Sequence, residues 1–113
     1  MLTNPAKQCK DSDIQINVTG KHLDVSPAME EYASTKCKRL ERFYDRINTV
    51  DVLIDKPSRE FEVELIAHVD RHDPFIGRER AIDYHACMDS VVDKLSRQLA
   101  EYKEITRNRK HPG

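Results

Sequence analysis

Apolar and polar residues alternate strictly in three stretches of the chain and recur every three to four residues in two others. Ile14, Ile16 and Val18 interleave with Gln15, Asn17 and Thr19 up to Gly20. Val50, Val52 and Ile54 interleave with Asp51, Leu53 and Asp55. The clearest case runs from Phe61 to Asp70, where Phe61, Val63, Leu65, Ala67 and Val69 alternate with Glu62, Glu64, Ile66, His68 and Asp70. Period two sends successive side chains to opposite faces, so each stretch predicts a strand with one buried side. Phe75 to Arg80, set off by His72-Asp73-Pro74 and containing Gly77, predicts a short fourth strand. The other period belongs to helices. Met29, Tyr32, Ala33, Cys37, Leu40, Phe43 and Tyr44 form one apolar stripe over 26–45. Tyr84, Cys87, Met88, Val91, Val92, Leu95, Leu99 and Tyr102 form a longer one over 83–105. Ser26 followed by Pro27, and Asp83, supply the expected N-caps.

The predicted order is β-α-β-β-β-α. Alternating strands leave one wet sheet face and one buried face, and two amphipathic helices suffice to cover the latter. The fold class is therefore α+β: a four-stranded sheet with two helices packed on one face. Residues 14–105 form the domain. Residues 1–13 are expected to be a flexible N-terminal extension, and 106–113 a basic, frayed tail.

A chain of 113 residues accommodates one such core. Lys and Arg number 19 against 20 Asp and Glu, for a formal net charge of −1, so a uniformly basic nucleic-acid coat is excluded and only segregated charge could bind a polyanion. Segregation is visible. On the first helix Lys38, Arg39, Arg42 and, with the last turn extended, Arg46 share one flank, while Glu30, Glu41 and Asp45 line the other. Lys94 and Arg97 project outward from the second helix. The open sheet face carries Asp51, Asp55, Glu62, Glu64 and Asp70, relieved along the fourth strand by Arg78 and Arg80. The bland alternative is a pair of ordinary solvated helix faces laced by i,i+4 pairs.

Candidate chemistry adds little. Cys9, Cys37 and Cys87 are odd in number and widely spaced, which fits reduced thiols in a cytoplasmic protein better than a disulfide framework. No apolar run approaches the ~20 residues of a membrane span. His68 and His72 with Asp70 and Asp73 form a poor metal set, and His85 and Cys87 cannot share a helix face. No phosphate loop or nucleophile motif is present. An enzyme, a cofactor and a metal are not expected.

Residues 14–47 (IQINVTGKHLDVSPAMEEYASTKCKRLERFYDRI) and 88–104 (MDSVVDKLSRQLAEYKE) resemble the ribosome hibernation promoting factor family, also called ribosome-associated inhibitor or sigma-54 modulation protein. Gly20-Lys21-His22, Leu40-Glu41-Arg42-Phe43, Asp93-Lys94-Leu95 and Arg97-Gln98-Leu99 carry the resemblance together, in order and at the family's spacing. It implies the β-α-β-β-β-α fold, similar to a double-stranded-RNA-binding domain, which reads RNA by shape and phosphate contacts. It also implies binding to the small ribosomal subunit and its rRNA in the channel for messenger and transfer RNA, with reversible inhibition of translation under stress or in stationary phase. The matching RNA-binding positions are Lys36, Arg39, Arg42, Lys94 and Arg97; the charge pattern adds Lys38, Arg46, Arg78 and Arg80. Three departures stand out. Asp83-Tyr84-His85 replaces an aspartate-methionine-tyrosine opening of the second helix. Ala100 and Glu101 stand where bases are common, and an N-terminal extension is added. Ending at Gly113, the chain resembles the family's short form, for which the resemblance implies either pairing of ribosomes with a separate factor or the blocking of single ribosomes. The open sheet leaves room for two copies to associate. A protein-binding, transcription-modulating regulator acting through the acidic sheet face with Leu53, Ile66 and Ile76 is the alternative function, and a general RNA-binding module a third.

Overall fold

The computed structural model describes residues 14–44, 46–70 and 72–109. The expected extension 1–13 with Cys9, Asp45, and residues 110–113 of the expected tail lie outside the described residues. Six elements and one short turn follow in the predicted order: β1 (Gln15–Gly20), α1 (Pro27–Lys38), a 3-10 turn (Arg39–Arg42), β2 (Ile47–Asp55), β3 (Phe61–Val69), β4 (Phe75–Ala81) and α2 (Tyr84–Arg109). The sheet order is β1-β2-β3-β4, with β1 parallel to β2 and the other two pairings antiparallel. The parallel pair needs a crossover, and α1 provides it.

Alternation becomes burial residue by residue. Val50, Val52 and Ile54 of β2 and Val63, Leu65 and Ala67 of β3 are fully buried under the helices. Cys87, Met88, Val91, Leu95 and Leu99 of α2 and Ala33, Cys37 and Leu40 beside α1 close the core from above. Burial pushes the Cys37 thiol up to about 12. Cys87, also raised chiefly by burial, directs its Sγ to the carbonyls of Glu79 and Phe61 at 3.4 and 3.6 Å. Both thiols are free and inert.

Both caps form as the sequence predicts. Ser26 Oγ accepts from Met29 N at 3.2 Å, and Asp83 Oδ2 accepts from Ala86 N at 2.9 Å. Three boundaries differ. The first helix is not continuous to Asp45: the α-helix stops at Lys38 and the chain tightens into the 3-10 turn, from which the Phe43 and Tyr44 amides bond back to Leu40 O. The tightening keeps Leu40 and Tyr44 buried but turns Phe43, expected in the core stripe, 37% outward. β2 begins earlier, at Ile47, because an irregularity between Ile47 and Thr49 keeps Ile47 on the buried face. α2 continues to Arg109, past the boundary expected at 105. Ser96, placed by periodicity on the polar side, is buried, with its hydroxyl bonded back to Val92 O at 2.8 Å.

The β4 edge of the sheet is covered from α2. On β4, Lys94 Nζ and Gln98 Nε2 reach from α2 to the carbonyl oxygens of Arg78 and Ile76, each at 3.2 Å. These donors occupy acceptors that would otherwise invite another strand.

Two glycines separate close approach from tolerance. A Cβ on Gly20 would collide with the Leu23 carbonyl and press Val25, whereas one on Gly77 would meet Val91 and Leu95 at ordinary van der Waals distances of 3.5–3.7 Å. Gly20→Ala is expected to lower stability by about 1–3 kcal/mol. Gly77→Ala should stay within about 1 kcal/mol of wild type, and Leu95→Ala should lose about 2–5 kcal/mol as a core cavity. Urea unfolding of the three variants checks the order.

Candidate nucleic-acid interface

The end of α1 gathers the exposed cations. Leu40 and Tyr44 are pinned in the core, so the residues around them are forced to the surface. In a 3-10 turn residues i and i+3 eclipse, which places Arg39 and Arg42 on the same side. Lys38, Arg39, Arg42 and Arg46 are all exposed, and none makes an ion pair with another described residue. Four exposed cations thus fall within nine residues, the residue type that phosphate oxygens attract.

The remaining predicted residues are brought elsewhere or are already engaged. Lys36 is partly buried in the groove between the helices, with Nζ 3.1 Å from Asp89 Oδ1 and 5.5 Å from the Tyr32 ring centre. The Tyr32 hydroxyl donates to the same Asp89 oxygen at 2.6 Å. That bond, then the lysine, holds the Asp89 carboxyl below its ordinary range, and the Tyr32 phenol is raised by the same hydrogen bond. Lys94 is salt-bridged to Glu79 at 2.9 Å while capping the β4 edge, and Arg97 pairs with Asp93 at 3.0 Å one turn back. Arg97 is the i,i+4 pair that an ordinary solvated face would show. Its exposure leaves it available, because such surface pairs are worth at most ~1 kcal/mol.

Arg78 and Arg80 emerge on the open sheet face, opposite the helices. There they pair across the strands with Glu64 and Glu62, each at 3.3 Å. They do not join the α1 group. Asp51 accepts from Asn17 and faces His68 Nε2 at 3.0 Å, Asp55 faces His22 at 3.4 Å, and Asp70 accepts from Asn48 at 2.8 Å. The face around Leu53, Ile66 and Ile76 is thus acidic except along β4, as expected, with Glu62 and Glu64 paired to the two arginines. A shallow depression of about 200 Å³ lies on it, lined by Lys21, Leu53, Asp55, Glu62, Glu64 and Arg78. His68 is spoken for by Asp51, and among the described residues no group of three or more His, Cys, Asp or Glu could hold a metal. No described helix is long and apolar enough to cross a membrane. Sequence reasoning missed the Tyr32–Asp89–Lys36 clamp and the capping role of Gln98. Both depend on which surfaces meet, and no local pattern encodes that.

A family profile described as sigma 54 modulation protein / S30EA ribosomal protein matches residues 16–107. Among curated relatives, a ribosome hibernation promoting factor of Azotobacter vinelandii is 36% identical over 91 residues, covering 80% of this chain and 84% of the relative. The protein of the same name from Escherichia coli K12 is 31% identical, covering 80% and 95%. Two solved structures share the fold. One is a ribosomal subunit interface protein from Coxiella burnetii, with a TM-score of 0.74 and 23% identity, covering 80% of this chain and 98% of that one. The other is the N-terminal domain of Protein Y from Thermus thermophilus, with a TM-score of 0.70 and 22% identity, covering 78% and 98%.

Asp89 makes the helix–helix clamp measurable. A depressed folded-state carboxyl contributes stability that is present above its unfolded titration range near pH ~4 and lost as pH falls through the lower folded value. Asp51, lowered mainly by the Asn17 hydrogen bond, contributes with the same sign. Asp89→Asn should therefore unfold at lower urea than wild type at pH 7, and the gap should narrow as pH falls below ~4. A gap independent of pH would remove the carboxylate from the clamp.

Proposed function

The chain belongs to the sigma 54 modulation protein / S30EA ribosomal protein family, and from that premise we propose that it is a ribosome hibernation factor. In this reading it occupies the messenger and transfer RNA channel of the small subunit in the cytoplasm and silences translation reversibly under stress or in stationary phase. The observation that carries the reading is the match over 80% of the chain to relatives named ribosome hibernation promoting factors. The exposed cations at the end of α1, outside any ion pair among the described residues, support it independently, since shape-reading proteins contact RNA through its phosphates and 2′-hydroxyls. Inhibition requires only occlusion, so no catalytic group is called for.

Within the proposed site the residues divide by availability. Lys38, Arg39, Arg42 and Arg46 are first in reach of phosphates, with Arg97 next. Lys36 can contribute only by sharing or leaving Asp89, and Lys94 only by leaving Glu79 and the strand edge. Arg78 and Arg80 sit on the far side of the sheet and fit poorly with a single contact surface. They belong to the alternative reading, in which the charged face around half-exposed Ile76 docks a protein partner or a second copy.

Co-sedimentation with separated ribosomal subunits at low and raised salt tests the proposal. Salt-sensitive pelleting with the small subunit is expected, and pelleting with neither subunit would leave the sheet-face reading as the stronger one. Arg39→Glu with Arg42→Glu should weaken small-subunit binding and flatten the dependence of log affinity on log salt by roughly one unit per lost contact. Folding stability should change by under ~0.5 kcal/mol, because both side chains face solvent. The matching reversal at Lys94 should cost stability as well, since it sets two acids against each other at the β4 edge.

A further inference from the structure

At the end of the domain where α1 gives way to β2, a cluster of rings reaches the surface. His72, in the β3–β4 connection, lies flat on Phe75 with ring centres 4.7 Å apart and planes within 3°. Tyr102 of α2 leans on both, 4.5 Å from His72 and 5.2 Å from Phe75, and meets Tyr44 edge-on at 5.5 Å. A core cluster of this kind would be closed over. This one is not: His72 is exposed, Phe75 and Tyr102 are half-buried, and Phe43 and Ile105 beside it are 37% and 50% exposed. Arg42 and Arg46 stand two residues either side of Tyr44, and exposed Lys103 follows Tyr102. Asp70 on the same end is held by Asn48.

We propose that His72, backed by Phe75 and Tyr102, is a stacking site for one unpaired nucleobase of RNA, with Arg42, Arg46 and Lys103 receiving the phosphates on either side of that base. The chemistry fits this ligand better than it fits duplex. A flat ring already parallel to a second ring continues a stack at no cost in ordering, and every base offers a π-face to it. Cations flanking such a platform track a single strand, whereas paired bases keep their faces hidden. The Nδ1 of His72 is committed to the Asp73 carbonyl at 2.6 Å, which fixes the plane of the imidazole in advance.

The inference refines the ribosome-binding reading and rests on it, so the two need separable tests. Wild type, His72→Ala and His72→Phe are compared for binding to purified small subunits and to single-stranded oligonucleotides of adenylate or uridylate, each over a range of salt. Tyrosine circular dichroism in the near ultraviolet verifies that the exposed substitution leaves the fold intact. His72→Ala should lose about five- to a hundred-fold in affinity for subunits and for oligoadenylate with an unchanged salt slope, because stacking releases no counterions. His72→Phe should retain affinity, and adenylate should be preferred to uridylate. Small-subunit binding that His72→Ala leaves at the wild-type level overturns the stacking site while keeping the ribosome reading. Equal loss in His72→Ala and His72→Phe, or a loss that flattens the salt slope, also overturns it in favour of a polar or charged role. Wild type that ignores subunits yet binds oligoadenylate through His72 would keep the stacking site and sink the ribosome reading instead.

Discussion

The seating of α2 on β3 and β4 is the contact from which the rest of the molecule takes its geometry. Val91 and Leu95 lie over Gly77 and seat the helix against the edge strand. Once the helix is that near, Lys94 and Gln98 reach the β4 carbonyls, Cys87 reaches Glu79, and Tyr84 turns its hydroxyl to the Met29 carbonyl at 2.8 Å to fix α1 alongside. Each of these polar contacts is modest by itself, about 0.5–1.5 kcal/mol net. What they share is dependence on a single apolar seam. The position of α1, and with it the direction in which its terminal cations point, is inherited from that seam.

Much of this was legible in the chain because strands and amphipathic helices announce themselves by period, and this sequence keeps its periods clean. Val63, Leu65 and Ala67 read as buried and are buried; Ser26 and Asp83 read as caps and cap. The misreadings have local causes. A helical wheel assumes 100° per residue, so the tightening after Lys38 threw off the projection of Phe43. Ser96 satisfied its own hydroxyl within the helix and so could be buried despite being polar. Pairings between distant segments were beyond reach. Nothing near Asp89 in sequence says that it will accept a hydrogen bond from Tyr32, and nothing near Arg78 says that Glu64 stands opposite it.

The distribution of charge was half visible for the same reason. Counting residues identified the cationic flank of α1 correctly, since exposure there follows from Leu40 and Tyr44 being inside. Counting also made the open sheet acidic apart from its fourth strand, as it is; what a count cannot see is that register sets Arg78 and Arg80 against Glu64 and Glu62. Cross-strand pairing relieves repulsion along that part of the face. Lys94 of α2 and Lys36 in the inter-helix groove are similarly committed. Among the described residues, the exposed cations outside any ion pair lie closest together in sequence where the helix gives out, at Lys38, Arg39, Arg42 and Arg46.

That concentration has a consequence for motion through a crowded polyanionic interior. With a formal net charge of −1, the molecule has almost no monopole and gains little from long-range attraction, which salt screens within about 8 Å in any case. What remains is local unevenness of charge, with Lys38, Arg39, Arg42 and Arg46 exposed around the junction of α1 and β2. A particle of that kind slides past stray nucleic acid without adhering in arbitrary poses. Within a screening length of a phosphate-lined cleft it experiences a torque before it experiences a pull. Orientation, rather than capture, is what such a charge arrangement supplies.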